Sequence, residues 1–224
     1  MSLYSYFLNN TGRGVIKYTH YFYIYERYFA RYVNTPVTLF EIGTGSGGSA
    51  RMWQHYFGPL ARIVTIDIRP DCKAFEEEQI FARIGHQGDL AFLATLVEEF
   101  GSPDIVVDDG SHQMADINAT FDFLYPRTAQ NGIYLVEDLQ AAYWPNCGGG
   151  LHAPSSFIER CKGFIDELHA RYIGLAGDVP LAPETPFSRS TAAIHIYDSV
   201  VVFERAPYMN KTMLDLPTNR GGSA

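Results

Sequence analysis

The segments DIVVDDGSH and YLVEDLQ gather the side chains best suited to chemistry: Asp108, Asp109 and His112 after one apolar run, Glu137 and Asp138 after another. If the two runs are neighbouring strands of one sheet, their carboxyl ends bring four carboxylates and an imidazole into one crevice. Acids so crowded raise one another's pKa values and lower stability unless a cation sits among them. A hard divalent ion such as Mg²⁺ answers that need, because it takes oxygen ligands and keeps positions for water or a substrate hydroxyl. A hydroxyl held there loses its proton more readily, and histidine is the residue type that takes a proton near neutral pH, which suits His112. The plainer alternatives are a His112 that caps or packs at a helix start, and a Glu137–Asp138 pair that is only a polar strand exit.

A second set surrounds LFEIGTGSGGSARMW, where Glu41, Gly43, Gly45, Gly47 and Gly48 stand between an apolar strand and a helix opening near Ser49. Without side chains the backbone turns sharply and approaches a ligand closely, while helix N–H groups form a polar rim. A purely structural turn has the same pattern. Asp67, ending the next strand, can accept hydrogen bonds from both hydroxyls of a ribose, and Asp89 in HQGDL is placed to border the base. Ordinary roles for them are a solvated turn acid and a helix N-cap before Leu90. Taken together, the acids favour a ribonucleoside. An acid beside the glycines disfavours a dinucleotide pyrophosphate, whereas a sulfonium nucleoside lacks phosphates and its α-ammonium can pair with Glu41.

Such groups converge only if a sheet lines them up, and the chain has the required rhythm of short β-branched runs separated by helix-like stretches. Strands are predicted at Val37–Ile42, Arg62–Ile66, Ile80–Ile84, Ile105–Val107 and Ile133–Val136, with helices at Ser49–Tyr56, Leu90–Phe100 and Ala115–Leu124. A further helix is expected from Phe157 to about Ile173. Ala193–Arg205 alternates around Asp198–Ser199 and reads as two strands joined by a tight turn. The expected fold is α/β: a doubly wound, mostly parallel seven-stranded sheet ending in an antiparallel hairpin. Gln140–Pro154, with Trp144, Pro145 and the run Gly148–Gly150, has the composition of a mobile cover over the strand ends. The organisation expected is a helical cover in 1–34, a single catalytic domain in 35–206 and a tail in 207–224, poorly ordered from Asn219 onward.

Composition narrows the partners. A formal charge of −8 argues against nucleic acid and leaves a small molecule as the expected substrate. Cys72, Cys147 and Cys161 show no C-x-x-C spacing, which fits a reducing compartment without disulfides or a thiolate metal site. The opening MSLYSYFLNNTGRG lacks the basic stretch and apolar run of an export signal, and no segment approaches about 18 uninterrupted apolar residues, so a cytoplasmic protein off the membrane is expected. Most of the abundant Tyr and Phe belong in a core, yet their interleaving with Lys17, His20 and Arg27 leaves room for a ligand cover.

The blocks FEIGTGSGGSARMWQHYF, DIVVDDGSH and YLVEDLQAAYWP, in this order and spacing, resemble the macrocin and mycinamicin O-methyltransferases, and the resemblance extends from HYFYIYERYF to the final hairpin. It implies a Rossmann-like class I methyltransferase fold, S-adenosylmethionine and Mg²⁺ as cofactors, and methylation of a sugar hydroxyl on a glycosylated secondary metabolite, as in antibiotic biosynthesis. By that resemblance Asp109, Glu137 and Asp138 are the metal ligands and His112 the general base. Glu41, Gly43, Ser49, Asp67 and Asp89 bound the cofactor site, and Asp108 lies against the cofactor. Relatives can carry an additional amino-terminal domain, which is not expected within these 224 residues. The first 34 residues, or a neighbouring subunit of a homo-oligomer, are therefore expected to cover the site, with Tyr18, His20, Tyr21 and Tyr25 reaching it and Trp144 opposite; helix packing is the alternative for each. The wider group includes phenol methyltransferases, so a catechol-like acceptor stays open, as does a protein that binds the cofactor without turnover.

Overall fold

The computed structural model describes residues 2–208 and Met213. Two helices, α1 (Leu3–Leu8) and α2 (Tyr21–Phe29), precede β1 (Thr38–Ile42). There follow α3 (Gly48–Phe57), β2 (Arg62–Asp67), β3 (Ile80–Ile84), α4 (Leu90–Phe100), β4 (Ile105–Asp108), α5 (Met114–Leu124) and β5 (Ile133–Val136). Helices α6 (Phe157–Leu168) and α7 (Pro186–Ser190) lead into β6 (Thr191–Tyr197) and β7 (Val200–Arg205). The seven strands form one sheet in the order β3-β2-β1-β4-β5-β7-β6. The first five are parallel, and β7 runs antiparallel to both β5 and β6.

Side-chain alternation along the strands explains why both faces are covered. Phe40, Ile42, Val64, Val106, Tyr134 and Val136 share one face with residues of α4, α5 and α6. Leu39, Ile63, Ile105, Val107, Ile133 and Leu135 pack on the other against α2 and α3, where Tyr25, Phe29, Trp53 and Phe57 are buried. Every residue of β1, β4 and β5 is buried, which accounts for the apolar runs Ile105–Val107 and Ile133–Val136 and leaves Glu41 and Asp108 as buried acids.

Sheet and hairpin agree with the expectations above, with shifts at their ends. Strands β2 and β4 each run one residue further, to Asp67 and Asp108. The predicted helix to Ile173 stops at Leu168, and a separate 3-10 turn spans Ala170–Tyr172. Within Gln140–Pro154, 3-10 turns are closed by Trp144 N–H donating to Ala141 O and Gly148 N–H to Pro145 O, and Gly150 N–H donates back to Ala142 O. Most of the expected tail lies outside the described residues. Among those described, no helix is long and apolar enough to cross a membrane.

Candidate active site

The sheet reverses its winding between β1 and β4, where a doubly wound fold opens a crevice at the strand carboxyl ends. A cavity of about 290 Å³ lies there, lined by Gly43, Asp67, His86, Gln87, Gly110 and Ser111 among others. Gly43 has φ +96°, and a Cβ on it would stand 2.0 Å from the Asp109 carbonyl oxygen. The two strand exits are thus in backbone contact, and no side chain fits between them.

Asp67 meets the cavity as a held carboxylate: Oδ2 accepts from Gly45 N–H at 3.1 Å and Oδ1 from Arg69 N–H at 3.0 Å. Burial is the largest influence and pushes its pKa up, but the bonds from Arg69, Cys72 and Gly45 together hold it below the usual value. Gln87, which the sequence reading did not single out, ties the wall together. Its Nε2 donates to Asp108 Oδ1 and Thr120 Oγ1, and its Oε1 accepts from Ser111 N–H at 2.6 Å. Asp108 is buried behind it, and burial pushes its carboxyl up to about 7.

Other residues expected at the nucleoside are placed differently. Asp89 Oδ1 accepts from Ala91 and Phe92 N–H, capping α4, and does not line the cavity. Ser49 is buried in the first turn of α3. Glu41 is buried with Oε1 accepting from Trp53 Nε1 at 2.7 Å; burial raises its pKa to about 7 while the charge of Lys17 opposes.

One residue beyond β4 and β5 the acids converge. The register pairs Ile42 with Asp108 and Asp108 with Val136, so Asp109 and Glu137 leave the sheet side by side. Ligand atoms of Asp109, His112 and Asp138 lie within 4.8 Å of one another. His112 Nε2 is 3.9 Å from Asp109 Oδ1 and 3.8 Å from Asp138 Oδ2. Both His112 and Asp138 have φ +55°, a left-handed conformation uncommon for residues other than glycine. Two carboxylates and an imidazole on one small opening form a donor set suited to a divalent cation.

The amino-terminal segment closes this cluster. Tyr21 OH donates to Asp138 Oδ1 at 2.7 Å, and Tyr25, one turn on, donates to Glu137 Oε2. Lys17 Nζ donates to Asp109 Oδ2 and Glu137 Oε1, each at 2.5 Å, with its side chain 3% exposed. Burial works against that ammonium, but Asp109, Glu137 and Glu41 raise its pKa above the ordinary value. Glu137 is pushed upward by burial and by the charge of Asp109, with Lys17 opposing. Glu137, expected as a ligand, therefore has both oxygens engaged by Lys17 and Tyr25. Tyr18 and Trp144 are about half exposed, and His20 Nε2 lies 3.0 Å from Asp198 O on the terminal hairpin.

No protein-family model matches the chain. The 8-demethyl-8-(2-methoxy-alpha-L-rhamnosyl)-tetracenomycin-C 3'-O-methyltransferase of Streptomyces olivaceus is 36% identical over 192 residues, 81% of this chain and 48% of that protein. Demethylmacrocin O-methyltransferase of Streptomyces fradiae is 34% identical over 191 residues, covering 81% and 47%. The mycinamycin-pathway methyltransferase MycE, solved in complex with Mg and SAH, superposes with a TM-score of 0.79 at 30% identity, over 92% of this chain and 54% of that one. Over this length the chain belongs to the macrocin and mycinamicin type of sugar O-methyltransferase. It spans about half the length of the curated relatives it matches. Within this macrocin-type sequence, Lys17 carried one faint signal, a lone cation among Val15, Ile16 and Tyr18 in an acidic chain.

Proposed function

We propose that the chain transfers a methyl group from S-adenosylmethionine to a sugar hydroxyl of a glycosylated secondary metabolite, aided by a divalent cation. The observation that carries this reading is the cluster of Asp109, His112 and Asp138, one residue from Gly110 on the cavity wall. A nucleoside donor and a cation-bound acceptor would thus meet at the exits of β1, β4 and β5.

S-adenosylmethionine supplies an electrophilic methyl on sulfonium. Gly43 gives it room at the β1 exit, Asp67 accepts from ribose hydroxyls, and Glu41, Ser49 and Asp108 shape the buried side of the loop and wall. Asp89 contributes by fixing the start of α4. Asp109, Glu137 and Asp138 would hold a Mg²⁺ ion, which would supply positive charge to make an acceptor hydroxyl more acidic. His112 would accept the acceptor hydroxyl's proton at Nε2, which faces both Asp109 and Asp138. Tyr21 and Tyr25 fix the carboxylates of Asp138 and Glu137, and Lys17, α2 and the 3-10 turns after β5 enclose the opening.

The acceptor in this reading is a small glycoside, with neither nucleic acid nor membrane involved; the chain's acidity supports the former. Assembly of identical chains in the cytoplasm belongs to the same reading and rests on the resemblance. The test is an acceptor screen by mass spectrometry with Mg²⁺ present, comparing the protein with Asp109→Asn and Asp138→Asn. Both variants should lose turnover at least about a hundredfold yet bind S-adenosylhomocysteine within about threefold of the parent. Equal loss of donor affinity would sink the division of labour, and turnover unaffected by chelation would sink the role of the metal.

A further inference from the structure

Two of the acids that would hold the divalent ion proposed above are already paired with a cation of the chain itself. Lys17 Nζ bridges Asp109 Oδ2 and Glu137 Oε1, two of the three acids that would hold the ion. Tyr25 holds the other oxygen of Glu137. A second opening lies between Asp109 Oδ1, His112 Nε2 and Asp138 Oδ2.

The seat of Lys17 is built. Its segment crosses the glycine loop so closely that a Cβ on Gly48 would stand 2.2 Å from the Gly14 carbonyl oxygen. Arg13 anchors the same stretch, donating to Phe75 O at 3.1 Å and to Glu77 Oε1 at 3.0 Å. Fixed before and after, by Arg13 and by α2, the segment delivers one ammonium to the acid pair.

We propose that Lys17 is the site's internal counter-cation: its ammonium holds Asp109 and Glu137 together while the site is metal-free, and loading of the divalent ion displaces it from Glu137. Metal binding is then an exchange of one cation for another, and Lys17 is a positioning residue that keeps the acids assembled between loadings. Three carboxylates and one ammonium carry two net negative charges when ionised, and expelling the ammonium leaves three for the arriving ion. The proposal rests on the metal reading above, and a buried ammonium with two carboxylate partners has no other evident use in the chemistry.

The experiment compares the parent protein with Lys17→Met and Lys17→Arg after chelator treatment. Mn²⁺ binding is read by electron paramagnetic resonance of the free ion, thermal unfolding is followed with and without Mn²⁺, and ¹⁵N-lysine spectra are recorded during Mg²⁺ titration. Lys17→Met should unfold at lower temperature without metal, bind Mn²⁺ roughly tenfold tighter or more, and gain more thermal stability from it. Lys17→Arg should retain the metal-free stability and the weaker binding. The Lys17 ammonium signal, protected from exchange by burial, should shift or vanish as Mg²⁺ saturates the parent. Equal or weaker Mn²⁺ binding by Lys17→Met, or a Lys17 signal untouched by saturating Mg²⁺, overturns the exchange while leaving the metal reading intact. Absence of Mn²⁺ binding by the parent and Lys17→Met alike overturns both.

Discussion

Replacing Asp108 with Asn should make stability less sensitive to rising pH, by an amount set by where the carboxyl sits. Asp108 ends β4, buried, with Oδ1 accepting from Gln87 Nε2 at 3.1 Å. Burial, the largest influence, and the neighbouring charge of Asp109 push its pKa up to about 7, against the Gln87 bond; an unfolded aspartate titrates near 3.9. The folded protein therefore holds this proton more tightly than the unfolded chain. The resulting stability is fully present below the unfolded value and is lost as pH climbs through the folded one. A displacement of about three units corresponds to roughly 4 kcal/mol in full, of which roughly 2–3 kcal/mol falls between about pH 5 and pH 8.5. Asn cannot ionise and keeps the oxygen that accepts from Gln87. Urea unfolding of chelator-treated protein across that range should show Asp108→Asn gaining on the parent by this amount as pH rises. A constant gap would refute the idea that the β4 exit holds a neutral acid at low pH.

Gly43→Ala should lower stability by roughly 3 kcal/mol or more in urea unfolding, because its Cβ would collide with the Asp109 carbonyl at a left-handed φ; an unchanged midpoint would contradict the close approach of the strand exits. Asp89→Ala removes the cap of α4 and should lower stability by about 1 kcal/mol with little change in S-adenosylhomocysteine affinity by calorimetry. A large loss of affinity would instead put its carboxylate on the donor. His112→Ala should reduce turnover of a glycoside far more than of a catechol, whose hydroxyl is the stronger acid; similar losses in single-turnover assays would remove His112 from the proton step.

The interior of the sheet was legible because parallel strands buried on both faces are largely apolar, so Ile105–Val107 and Ile133–Val136 stand out from the polar turns around them. Leu90–Phe100 was legible because Leu90, Leu93, Leu96 and Val97 fall on roughly one face of a helix, with Asp89 as an N-cap before it. The end of α6 was hidden: Phe164, Leu168 and Tyr172 continue a helical spacing, and no Pro or Gly marks the change at His169. Asp67 and Asp108 were legible as acids at strand ends; only the ranges Arg62–Ile66 and Ile105–Val107 stopped one residue short of them. Lys17 was hidden for a deeper reason. Its partners lie 92 and 120 residues away, and only the folded chain brings a cation to acids so distant in sequence.

Backbone strain and side-chain chemistry coincide at this site. His112 and Asp138 both hold φ +55°, where glycine would fit without penalty and other residues lose about 1–2 kcal/mol. Each follows a strand exit, and the left-handed turn folds its side chain back across the gap, so that Nε2 and Oδ2 face each other at 3.8 Å. Extended backbone at either position would carry the chain onward and open the cluster. At Asp138 the turn is held from outside, since its N–H donates to Tyr21 OH while that hydroxyl donates back to its carboxylate. Helix α2 thereby stabilises a conformation that β5 alone would not keep. The segment carrying Lys17, Tyr21 and Tyr25 is accordingly part of the acid site's construction, beyond covering it: two strand ends bring the acids together, and this segment supplies the charge and hydrogen bonds that let them stay.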